Sequence, residues 1–197
     1  MASYFRSKRQ LNLPNLFTLI RIIITPLLII LLINGRFMDA LIAFTCAGIT
    51  DALDGLIARI LGQKTRIGAI LDPIADKLLL TSSYVTLAVI GQLPKWLAIV
   101  VISRDVIIVL GVLILFLVQT EFEIRPTILG KLTTLFQLGA IFMILLTKEL
   151  GVINQFIYPL ILVTATLTIS SGAHYMFLGV GILGKLDNGQ KHQPLKR

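Results

Sequence analysis

The sequence predicts an all-α integral membrane protein with six transmembrane helices and both termini in the cytoplasm. Composition gives the class: 56% of the 197 residues are hydrophobic, 14% are charged, and mean hydropathy is +0.90. A soluble domain would carry about a quarter charged residues, and a bilayer core takes about 20 apolar residues to cross. Such stretches recur at 15–34, 38–61, 68–91, 95–118, 127–147 and 154–182. Lys and Arg then set the orientation, because cytoplasmic loops hold the excess of positive charge. With six spans, one face carries Arg6, Lys8, Arg9, Arg59, Lys64, Arg66, Arg125, Lys131 and the basic tail from Lys185 to Arg197. The other carries Arg36, Lys95 and Lys148, while Arg21, Lys77 and Arg104 fall at membrane depth. A basic rim beside anionic lipid accounts for the net charge of +8 without any nucleic acid.

Along the chain, residues 1–14 read as a basic interfacial lead, with Pro14 suited to a helix start. No cleavable signal peptide is expected, because no small-residue cleavage site follows the basic start. Pro26 lies inside the first span and can kink it. Asn34-Gly35 reads as an outer turn, as does Leu93-Pro94-Lys95-Trp96, with Trp96 placed for the interfacial aromatic belt. Residues 119–126 make a polar inner loop, and Lys148, Glu149 and Gly151 mark the last outer turn. Residues 183–197 form a polar cytoplasmic tail, and 1–197 read as a single membrane domain without repeats or linkers. Cys46 is the only cysteine, so no intrachain disulfide can form, and a small buried hydrophobe is its expected role.

Into this hydrocarbon-like background the chain places Asp51, Asp54, Asp72 and Asp76. A carboxylate at membrane depth costs about 2.5–3.5 kcal/mol on insertion scales. Four of them need compensation, which divalent cations held by oxygen ligands can supply. Asp51 and Asp54 are three apart, and Asp72 and Asp76 four apart, so each pair shares a helix face. Two antiparallel helices joined around Gln63-Lys64-Thr65 would bring both pairs together. That suits two divalent cations clamping a phosphoryl group, and all-oxygen ligation favours Mg²⁺ or Mn²⁺ over zinc. Gly55 and Ala58 permit close approach, Gly68 opens the third helix, and the Arg59 guanidinium can fork onto a diphosphate.

The run Asp51-x2-Asp54-Gly55-x2-Ala58-Arg59-x8-Gly68-x3-Asp72-x3-Asp76 resembles the signature of the CDP-alcohol phosphotransferases, at all eight positions. The resemblance implies a six-helix membrane fold, a CDP-linked donor, two divalent cations, release of CMP and a homodimer. It also implies Asp51, Asp54 and Asp72 as metal ligands and Asp76 as ligand and general base. Asp51, Gly55, Ala58, Arg59 and Gly68 would line the nucleotide-diphosphate site. Within the family, Asn15 to Arg21, Leu71 to Leu79, Gly130 to Thr134 and Ser170 to Tyr175 resemble both phosphatidylglycerophosphate synthases and single-motif cardiolipin synthases. Ser103-Arg104-Asp105 leans toward the latter. The implied donor is CDP-diacylglycerol. The implied acceptor is glycerol 3-phosphate, with phosphatidylglycerol as the alternative.

Several residues keep two readings. Asp72 before Pro73 could simply cap a helix, and Lys64 and Arg66 fit orientation alone. A buried Arg104 and a near-buried Lys131 are candidate ligands for an acceptor phosphate. Arg104 could instead pair with Asp105, and Lys131 could be an interfacial anchor. Asn15, Thr18 and Arg21 could be interhelical glue, Lys77 could offset carboxylate charge, and His174 reads as a packed or interfacial side chain. A divalent-cation or proton transporter would also place carboxylates in the membrane. Such folds often repeat internally, whereas this cluster occurs once. A non-catalytic scaffold would give no reason for Asp76 beside the other three carboxylates.

Overall fold

A computed structural model of the chain describes residues 13–61, 66–117, 127–151 and 154–190, with the side chains of 13–17, 52–70, 115–116, 154 and 182–190 outside that description. Among the described residues it is all-helical: α1 (Leu13–Ile33), α2 (Phe37–Leu61), α3 (Arg66–Val89), α4 (Lys95–Leu117), α5 (Ile128–Leu150) and α6 (Asn154–Gln190). Runs of Leu, Ile and Val that cross a bilayer would find no water to bond and would satisfy their backbone within the helix. Among the described residues three stretches are long and apolar enough to cross a membrane: Lys95–Ile114, Ile128–Leu150 and Gln155–Gly181. A shorter apolar stretch covers Thr18–Ile33. Large apolar side chains such as Ile23, Ile99, Val109 and Phe177 face outward, as lipid contact would require.

The helix ends fall within a few residues of expectation at five of the six helices. Pro73 lies well inside α3, as the expected span 68–91 has it, so the capping alternative for Asp72 falls away. The sixth helix continues past the expected end at 182 to Gln190, because the next proline after Pro159 comes only at Pro194. The turn after α1 forms at Asn34-Gly35 as expected, whereas the turn after α3 closes at Gly91-Gln92, with Lys95 and Trp96 already in α4. Gly35 takes φ 69° and the amide of Arg36 donates to the Leu31 carbonyl at 2.9 Å. Gly91 takes φ 76°, with Gln92 donating to Leu87 at 2.8 Å. Both are helix ends closed by a left-handed residue, which glycine adopts without a Cβ penalty.

The chain divides into two compact units, Met1–Lys95 with Ile141–Asn154, and Trp96–Ala140 with Gln155–Arg197. In the first, α1 packs on both α2 and α3. Its buried stripe is Thr18, Arg21, Thr25, Leu28 and Leu32, alternating steps of three and four, polar at one end and apolar at the other. On α2 the matching stripe is Ala40, Phe44, Ala47 and the half-buried Asp51. Cys46 sits off that stripe and is exposed, contrary to the expected burial.

In the second unit hydroxyl groups join α5 to α6. The Gln137 amide donates to Thr168 Oγ1 at 3.2 Å and Thr133 Oγ1 to the Leu167 carbonyl at 3.2 Å. Such side-chain bonds hold helices together where apolar burial gives no preference for protein over lipid.

Candidate active site

Among the described residues, the first unit gathers carboxylates around Arg21. Arg21, from the polar end of the α1 stripe, is fully buried, and its Nη2 lies 2.7 Å from Asp51 Oδ1. Its Nη1 donates to Asp76 Oδ1 on α3. One turn earlier Thr18 Oγ1 donates to Asp72 Oδ1. Asp51 and Asp76, expected to converge from two helices, therefore meet on a single guanidinium, and Asp72 is tied to the same face of α1. Asp54, Gly55, Ala58 and Arg59 lie on α2 and Gly68 in the first turn of α3, but their side chains fall outside the described residues.

The donor set suits a hard divalent cation. It is all carboxylate oxygen, and the Asp51 and Asp76 side chains stay 48% and 43% exposed, leaving room for a further ligand. As the side chains stand, no group of three or more acidic, His or Cys residues among the described ones is close enough to hold a metal. Arg21 instead supplies the positive charge that the carboxylates require.

The second unit holds a separate polar cluster around Arg104, which is only 6% exposed. Its Nη1 donates to Asp105 Oδ1 at 2.8 Å and its Nη2 to Ser171 Oγ at 3.2 Å. The guanidinium carbon lies 5.9 Å from the Tyr175 ring centroid, within cation–π range. The buried cation thus has the neighbouring Asp105 as partner, the plainer of its two readings. Its Nε nevertheless lacks a hydrogen-bond partner among the described residues. Lys131, expected near-buried, is exposed in the first turn of α5, because the buried stripe there runs through Gly130, Thr133 and Gln137. Thr127 caps that helix, its Oγ1 accepting from the Gly130 amide at 3.1 Å while its own amide donates to Tyr175 Oη at 3.2 Å.

Gly130 is what lets these groups meet. A Cβ there would sit 2.9 Å from Tyr175 Oη and 3.4 Å from Arg104 Nη2. Gly130→Ala is therefore expected to lower the thermal midpoint by displacing the Tyr175 hydroxyl from Thr127. With Tyr175→Phe present the same change should cost less than in the native background, and additive losses would refute the steric coupling.

Sequence reasoning gave no catalytic part to Thr18, Arg21, Ser171 or Tyr175. The available signal for the first two was a polar stripe at three- and four-residue spacing in an apolar span, containing an arginine that must find an acid.

Comparison with known proteins agrees with the carboxylate motif. Residues 11–170 match the family model described as CDP-alcohol phosphatidyltransferase. A Bacillus subtilis protein named CDP-diacylglycerol–glycerol-3-phosphate 3-phosphatidyltransferase is 36% identical over 150 residues, covering 68% of this chain and 77% of its own. A protein of the same name from Aquifex aeolicus is 34% identical over 128 residues, 64% of this chain and 71% of its own. A rat cardiolipin synthase (CMP-forming) is 41% identical over 102 residues, 51% of this chain but 34% of its own. With four fifths of its length matched and Asp51, Asp72 and Asp76 gathered on α1, the chain belongs to the CDP-alcohol phosphatidyltransferase family and is a transferase.

Proposed function

We propose that this protein transfers the phosphatidyl group of CDP-diacylglycerol to glycerol 3-phosphate, forming phosphatidylglycerophosphate and CMP. The observation that carries the choice of acceptor is coverage. The bacterial relatives that align over most of their own length bear the glycerol-3-phosphate name, whereas the cardiolipin synthase aligns over a third of its own. Phosphatidylglycerol is the second acceptor reading, favoured by the 41% identity within that shorter segment.

The family is generally divalent-cation dependent. Asp51, Asp54, Asp72 and Asp76 would hold two such ions, Mg²⁺ or Mn²⁺, and when bound these neutralise charge developing on the diphosphate. Gly55, Ala58, Arg59 and Gly68, with Asp51, form the nucleotide-diphosphate site in this reading. The acceptor hydroxyl oxygen attacks the phosphorus that bears the diacylglycerol group. The bond from that phosphorus to the CMP oxygen breaks, Asp76 takes the hydroxyl proton, and CMP leaves. Arg104 and Lys131 are assigned to the acceptor's phosphate, with the orphan Nε of Arg104 as an unused donor.

The charge asymmetry and the six apolar stretches of the sequence support six spans with both termini and the carboxylate site on the cytoplasmic side of the cell membrane. The family resemblance supports a homodimer, and the whole chain acts as one membrane domain with its lipid substrates entering from the bilayer.

The test is CMP release by the full chain in lipid nanodiscs holding CDP-diacylglycerol and Mn²⁺. Release on adding glycerol 3-phosphate, and not on adding phosphatidylglycerol, is the expected result. The reverse pattern would transfer the assignment to cardiolipin synthesis.

A further inference from the structure

Arg21 is fully buried, yet it serves side chains 30 and 55 positions away. Its Nη2 stands 2.7 Å from Asp51 Oδ1, its Nη1 donates to Asp76 Oδ1, and Thr18 on the same helix face donates to Asp72. A planar guanidinium with five N–H donors can hold two carboxylates at once, which an ammonium does poorly. Carboxylates crowded together repel unless a cation lies between them. The hold is also exchangeable. The contact with Asp51 is an ion pair rather than a directed hydrogen bond, and Nε has no hydrogen-bond partner among the described residues.

The oxygens that Arg21 engages belong to carboxylates assigned above to the divalent cations. A guanidinium and a divalent cation on those same oxygens would repel across a few ångströms, so the two must compete. We infer that Arg21 is a positioning residue that stands in for the divalent cation, holding Asp51 and Asp76 together before metal binds and yielding them when it does. The inference rests on the metal-dependent reading of the site. Arg21 touches no reacting atom in this account. It keeps the empty carboxylate cluster folded and sets how tightly metal binds.

The experiment is Mn²⁺ titration of the metal-stripped full chain in nanodiscs without donor lipid, followed by electron paramagnetic resonance, with thermal midpoints in EDTA and in Mn²⁺. Arg21→Gln is expected to bind Mn²⁺ about tenfold more tightly than wild type, a coupling within the usual range between linked sites. Its midpoint in EDTA should fall, and Mn²⁺ should raise it by more than in wild type. A purely structural arginine would lower the midpoint and leave Mn²⁺ affinity unchanged, and that result overturns the proposal. Should Arg21→Gln not fold, Arg21→Lys carries the test. It keeps the charge but loses the two-pronged reach, so Mn²⁺ should bind about fivefold more tightly. Equal or weaker binding overturns the proposal. Mn²⁺ bound by neither wild type nor variant overturns the metal reading as well, whereas wild-type binding without a gain in the variant overturns the role of Arg21 alone.

Discussion

Asp76→Asn is expected to lower CMP release by about 10²–10⁴-fold, the range for loss of a positioned general base, while CDP-diacylglycerol still binds. The amide keeps an oxygen for a cation or for Arg21 but cannot take the acceptor's proton. Asp76 holds this role in the proposed reading. It lies on α3 four residues from Asp72, is half-buried, and its carboxylate points at the same guanidinium as Asp51. Because the substitution also removes one of two negative charges on Arg21, a lower thermal midpoint in EDTA should accompany the loss of turnover. Measuring CMP release and donor binding on one preparation separates chemistry from folding. Wild-type turnover in the variant would remove Asp76 from the mechanism.

Arg104→Ala is expected to raise the acceptor KM by about tenfold or more, with a much smaller change in the donor KM. A hydrogen bond to a charged group contributes about 1.5–3 kcal/mol, which sets that scale. Arg104 is held by Asp105, Ser171 and the Tyr175 ring and keeps Nε unpaired among the described residues, so its fork is oriented in advance. The substitution also removes the cation of the buried Arg104–Asp105 pair, and breaking a buried pair costs about 3–5 kcal/mol in soluble proteins. A fall in thermal midpoint is therefore expected alongside the kinetic change. The two roles part cleanly in the kinetics. A lower midpoint with an unchanged acceptor KM would make Arg104 a structural cation only.

The helices were legible because long apolar stretches announce themselves by length and composition, and Asn34-Gly35 marks the turn that ends α1, whereas the turn at Gly91 that ends α3 was read two residues too late. The acidic motif was legible because helical spacing of three and four is a local property. Where local reasoning stopped is equally specific. Whether Asp72 was a cap depended on where α3 begins, and an N-cap followed by proline looks the same in sequence as an interior Asp-Pro. Cys46 and Lys131 were misplaced because burial on an apolar helix depends on which stripe meets a neighbour, and hydropathy is nearly uniform around such a helix. Arg21 was visible as a charge at membrane depth, but its partners lie on two other helices, and only the fold brings them together.

The central claim is that the carboxylates on α2 and α3 serve phosphatidyl transfer to a phosphorylated alcohol. Its most direct measurement offers the full chain CDP-diacylglycerol, Mn²⁺ and ¹³C-labelled glycerol 3-phosphate in nanodiscs, then follows CMP and the mass of the lipid product together. The account predicts label in phosphatidylglycerophosphate, equimolar with CMP, and loss of both with EDTA or with Asp76→Asn. Label that stays in the water-soluble pool while CMP is released would contradict it.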